Sequence, residues 1–86
     1  MPGYTITFAR SARKELQSMP IDVAERLLKK IESLTINARP AGSHKLSGAT
    51  DLWRIRVGDY RVIYKIDDNR RIVDVTVVRH RREVYR

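Results

Sequence analysis

The side chains best suited to chemistry in this 86-residue chain are Arg54, Arg56, Arg61 and Arg81, together with His80 and Tyr85. Arginine offers forked, permanently charged donors to phosphate, and tyrosine or histidine can stack on a base or move a proton. Such a set suits phosphoryl chemistry on RNA. There the 2′-hydroxyl can attack its own 3′-phosphate without a metal, provided cations hold the charge that grows on the phosphate oxygens. The same residues also suit RNA binding without cleavage, and arginines on a strand can simply form a solvated face.

Other chemistries find little support. A metal-dependent nuclease needs convergent carboxylates, whereas Asp59, Asp67 and Asp68 fall in expected turns and Asp22, Glu25 and Glu32 on an expected helix. No metal site and no cofactor is expected. There is no G-x-S-x-G nucleophile motif, and the glycines fit neither a P-loop nor a dinucleotide fingerprint. His44 lies in a Gly/Ser-rich loop and is not expected to form a base and acid pair with His80.

The elements that must position the arginines follow from periodicity. Leu52 to Val57, Tyr60 to Ile66 and Ile72 to Arg79 are rich in β-branched and aromatic residues, and Gly58 with Asp59 makes a two-residue hairpin turn. That turn sets Val57 opposite Tyr60, Arg56 opposite Arg61, Ile55 opposite Val62, Arg54 opposite Ile63 and Trp53 opposite Tyr64. One face then carries Trp53, Ile55, Val57, Tyr60, Val62 and Tyr64 and is the expected core. The other carries Leu52, Arg54, Arg56, Arg61, Ile63 and Lys65, a repulsive grouping of four cations that stability alone does not favour. Simple alternation in the last strand puts Val73, Val75 and Val77 on one face and Asp74, Thr76, Val78 and His80 on the arginine side.

Upstream, Tyr4 to Phe8 alternates as a short strand, and Ala12, Leu16 and Met19 recur at helical spacing within Ala9 to Met19. A second helix spans about Pro20 to Ile36, with Ala24, Leu27, Leu28, Ile31 and Leu34 as its apolar stripe. Asn37 to Asp51 reads as a loop in which at most Lys45 and Leu46 pack inward. The fold expected is α+β: a small antiparallel sheet of about four strands with an N-terminal helical hairpin on one face, in a single domain over residues 1–86.

Eighteen Lys and Arg against ten Asp and Glu give a net charge of +8, which makes a polyanion the default partner. The charge is spread over strands and tail rather than along an amphipathic helix, so nucleic acid is expected and a membrane is not. Zero cysteines exclude disulfides, and with no secretory leader pattern at the N-terminus the expected location is cytoplasmic.

Three segments carry a family resemblance: YTITFARSARKEL near the start, HKLSGATDLWRIRVGDYRVIYKI in the middle and VVRHRREVYR at the end. In this order they resemble the RelE family of bacterial toxins, within the RelE/ParE superfamily, over essentially the whole chain. The resemblance implies a toxin that enters the ribosomal A site, cleaves the mRNA there and inhibits translation, and that an antitoxin otherwise holds inactive in a hetero-oligomer. It assigns Arg61 to the scissile phosphate, Arg81 to the phosphate and leaving oxygen, and Tyr85 to base stacking or proton transfer.

Positions 54 and 56 depart from the best-known pattern, which has lysines there. Arginine does not readily lose a proton, so Arg54 and Arg56 can act only through their charge. Tyr85, and after it His80, are then the expected bases. Lys45, Arg54, Arg56 and Arg82 are the expected RNA contacts. Leu52, Ile63 and Val78, set among cations, are the expected contacts of an acidic antitoxin. A ParE-like inhibitor of DNA gyrase, or a non-catalytic RNA- or antitoxin-binding module, are the alternative readings.

Overall fold

A computed structural model describes residues 3–46, 48 and 51–80. The chain runs β1 (Thr5–Phe8), α1 (Arg10–Gln17), α2 (Ile21–Glu32), a 3-10 turn (Ser33–Thr35), β2 (His44–Lys45), β3 (Leu52–Val57), β4 (Tyr60–Asp67) and β5 (Ile72–His80). The five strands form one sheet in the order β1-β5-β4-β3-β2. The α+β class and the helices on one face agree with expectation, but the sheet is mixed. β1 runs parallel to β5, with Ala9 N–H donating to the Val75 carbonyl at 2.8 Å. The fifth strand, β2, arises in the segment expected to be loop.

The β3–β4 register is the one that the turn dictates, from Val57 opposite Tyr60 to Leu52 opposite Lys65. Gly58 takes φ +59 while Asp59 stays out of the left-handed region. This is the glycine-first pattern of a type II′ turn, whose twist matches that of its strands. Tyr64, Val62, Ile55, Ile66, Val73 and Val75 are buried beneath the helices, where they meet Ala12 and Leu16 of α1, Leu27 and Ile31 of α2, and Leu34 of the 3-10 turn. Each fully buried Leu or Ile contributes roughly 1.5–3 kcal/mol. Pro20 caps α2, where a missing N–H costs nothing. Asp22 in the first turn and Lys29 and Lys30 in the last complement the helix dipole.

Between β4 and β5 the register slips. Tyr64 pairs with Val75 but Ile63 pairs with Val77, so Thr76 is an extra residue, and its hydroxyl donates to the Ile63 carbonyl at 3.1 Å. The bulge inverts the alternation of everything after it. Val78 therefore points into the core at 2 % exposure, and Val77 and Arg79 take the opposite face.

The long loop and the β4–β5 turn are tied together by polar contacts. The Arg39 guanidinium grips Asp68 with two nitrogens, at 2.9 and 3.3 Å, and the Tyr4 hydroxyl donates to the same carboxylate at 2.6 Å. Arg39 also lies over the Trp53 ring, 5.2 Å from its centroid. Asp67 accepts from the Arg70 N–H at 3.0 Å, the turn role expected of it. Among the described residues no helix is long and apolar enough to cross a membrane.

Candidate functional site

The sheet face away from the helices carries the arginines. Arg56, Arg61 and Arg79 are direct cross-strand neighbours on β3, β4 and β5, and a second row sets His44 beside Arg54 and Arg54 beside Ile63. Cross-strand neighbours stand only about 4.5–5.5 Å apart at their Cβ atoms, so their charges reinforce one another. Arg61 is at the centre and only 3 % exposed.

A pocket of about 270 Å³ opens on this face, lined by Gly42, His44, Arg54, Arg56 and Arg61. Among the described residues its lining contains no carboxylate. A smaller pocket of about 60 Å³ adjoins it through Arg56 and Arg61 and reaches Gly58, Asp59 and Tyr60 at the hairpin turn. Three arginines lining one cavity suit an anion with several oxygens, since their forked donors match phosphate. Lower on the same face the charge is balanced: Lys65 pairs with Asp74, which accepts from the Thr7 hydroxyl at 2.7 Å. The excess positive charge is thus confined to the end of the sheet that holds the pocket.

The structure brings together Arg54, Arg56 and Arg61 as expected, and corrects two placements. His80 does not project to the arginine side. The Thr76 bulge turns it to the side of Tyr60, its cross-strand partner, where the rings meet edge to face at 5.1 Å and 88°. Val78 is not a solvent-face contact, because the same bulge buries it. Leu52 and Ile63 remain on the arginine side and are half-buried. Lys45 is exposed but pairs with Trp53, so it points to the opposite side from the pocket. Arg81, Arg82 and Tyr85 lie outside the described residues.

Two site residues escaped the pattern of the sequence. Arg79 joins the arginine row only because of the bulge. His44 reaches the pocket through a two-residue strand, too short to leave any periodicity. The signal that could have found it is its place eight residues before a strand of alternating arginines, close enough to fold back against it.

With this geometry in view, the likenesses to known proteins become specific. The sequence model of the ParE toxins of type II toxin–antitoxin systems (parDE) matches residues 6–85. The chain is similar to the toxin RelG of Mycobacterium tuberculosis, with 27% identity over 84 residues that cover 96% of this chain and 97% of that protein. Its fold is similar to the RelE–RelB complex of Pyrococcus horikoshii, with a TM-score of 0.82 and 30% identity over 92% of this chain and 96% of that one. It is also similar to the isolated RelE toxin of E. coli, with a TM-score of 0.80 and 31% identity over 95% and 90% of the two chains. The fold and these matches define a small toxin of a type II toxin–antitoxin system. The chain belongs to the ParE toxin family, within the RelE/ParE superfamily.

Proposed function

We propose that this toxin is a ribosome-dependent endoribonuclease that cleaves mRNA in the A site. The 2′-hydroxyl attacks the adjacent phosphate without a metal, leaving a 2′,3′-cyclic phosphate. The observation that carries this reading is the pocket lined by Arg54, Arg56 and Arg61, a set of cationic donors of the kind that stabilises the charge developed in such a transition state. As phosphorus becomes five-coordinate, negative charge grows on its free oxygens, and fixed guanidinium groups stabilise that charge without having to reorganise. Arg61, buried at the centre of the row, takes the scissile phosphate. Arg54 and Arg56 line the same pocket, and Arg81 and Tyr85 take the phosphate and stacking roles that the family resemblance assigns them. Alignment of the message by the ribosome supplies the remaining rate.

The partner in the resting state is an acidic antitoxin. The RelE of Pyrococcus horikoshii is found in complex with RelB, and a net charge of +8 suits an acidic, partly disordered segment laid over the sheet face at Leu52 and Ile63.

One observation favours a second reading, inhibition of DNA gyrase without chemistry: the matching family model is that of the ParE toxins. Purified toxin incubated with mRNA programmed on ribosomes, and with the same mRNA free, separates the two. Metal-independent cuts confined to the ribosome-bound message and lost in Arg61→Ala support cleavage. Intact message together with inhibited supercoiling by gyrase supports the second reading.

A further inference from the structure

Cleavage by the 2′-hydroxyl needs a group to receive its proton, and the arginines of the pocket cannot serve. Guanidinium keeps its proton and offers only donors. His80, one of the candidates that the sequence offers, lies on the Tyr60 side of the sheet. The pocket has a different titratable liner. His44 is the cross-strand partner of Arg54, lines the same cavity as Arg54, Arg56 and Arg61, and is exposed, so a bound nucleotide can reach its ring.

We infer that His44 is the general base of this site, taking the proton from the 2′-hydroxyl of the nucleotide whose phosphate the arginines hold. This inference rests on the cleavage reading and names the residue that makes it work. The geometry supports it in two ways. His44 belongs to β2 while Arg54 and Arg56 belong to β3 and Arg61 to β4, so the phosphate-binding groups and the proton acceptor come to one cavity of about 270 Å³ from different strands. Among the described residues the charged liners of its cavity are all cations: Arg54, its cross-strand partner, with Arg56 and Arg61. Lys45, next in sequence, points to the other side. Of those liners, His44 is the one whose side chain can carry a proton acceptor, since guanidinium has only donors. Its residue is exposed at the cavity, within reach of a hydroxyl of the bound nucleotide.

The step balances without any redox partner. The O2′–H bond breaks as its proton passes to the imidazole, O2′ bonds to phosphorus, and the bond from phosphorus to O5′ breaks with its electron pair staying on O5′. That oxygen takes a proton from water, and the hydroxide formed is neutralised by the proton that the imidazolium then releases. The products are a 2′,3′-cyclic phosphate and a 5′-hydroxyl.

The test is single-turnover cleavage of ribosome-programmed mRNA by the wild-type toxin, His44→Gln and His44→Ala across about pH 5 to 9, with toxin–ribosome binding measured alongside. General acid–base groups contribute about 10²- to 10⁴-fold. His44→Gln should lose rate in that range while binding ribosomes as tightly as wild type. The rise of rate with pH through the imidazole range should vanish, and added imidazole should restore cleavage to His44→Ala. Circular dichroism confirms that both variants fold. Wild-type rate and pH profile in His44→Gln would overturn the inference and leave the cleavage reading standing. So would a slow His44→Ala that imidazole does not rescue and whose pH profile is unchanged, since that marks a merely positional role. No cleavage by wild type would overturn both.

Discussion

Arg61 and Arg79 face each other across β4 and β5 because Thr76 is bulged out of the ladder between Ile63 and Tyr64. With Arg56 on the other flank of Arg61, the bulge extends the arginine row from two strands to three. Arg79→Ala should therefore weaken RNA binding about equally for all sequences and lower the dependence of log K on log salt by roughly one, the signature of one lost phosphate contact. Filter binding or fluorescence anisotropy over a salt series checks this. An unchanged slope would remove Arg79 from the RNA surface.

Asp68 holds three segments together through Arg39 and Tyr4, and the hydrogen bonds from Arg39 and then Tyr4 keep its carboxyl below the usual carboxylate range. A carboxylate whose folded pKa is depressed adds stability above its unfolded value, near ~4. That stability is lost as pH falls through the lower folded value. Asp68→Asn should accordingly melt below wild type at neutral pH, and the gap should close as the pH is taken well below 4. A Tm difference that stays constant over that range would show that the charge is not what matters.

The Tyr64 ring is fully buried, and its hydroxyl donates to the Ala38 carbonyl at 2.8 Å, tying the long loop to β4. Burial pushes the phenol up to about 12. The folded protein thus holds this proton more tightly than the unfolded chain, whose tyrosines ionise near ~10. Stability is intact below pH ~10 and falls between there and about 12. Tyr64→Phe removes that alkaline loss and strands the Ala38 carbonyl, at a cost of roughly 1–3 kcal/mol near neutrality. Urea melts at neutral and alkaline pH test both halves.

The legible parts of this molecule are those set by local chemistry. The Gly58–Asp59 turn fixes a whole hairpin register, so the burial of Ile55, Val62 and Tyr64 and the opposite placement of Arg54, Arg56 and Arg61 could be read directly from spacing. What could not be read depends on pairing energy between distant strands. The parallel partnership of β1 with β5 joins segments more than sixty residues apart and has no turn to fix it. The bulge at Thr76 has no composition signal, since IVDVTVVRH alternates acceptably in either register. One unseen residue was enough to misplace both Val78 and His80, and to hide Arg79. His44 reads as a loop residue because a strand of two paired residues leaves no periodic pattern.

The inversion at Thr76 can be tested with a pair of substitutions that differ by one position. Val78 is 2 % exposed and packs in the core, whereas Val77 lies on the arginine face opposite Ile63. Val78→Asp places an unpaired carboxylate among apolar side chains and should cost roughly 4 kcal/mol or more, which leaves a domain of this size largely unfolded. Val77→Asp puts the same group on a face crowded with guanidinium groups. There it gains opposite charges, so the fold should survive with Tm close to wild type. The same carboxylate would compete with phosphate for the arginines, and RNA affinity should fall sharply although the protein is folded. Simple alternation without the bulge predicts the reverse order of stability, so one thermal melt of each variant decides between the two registers.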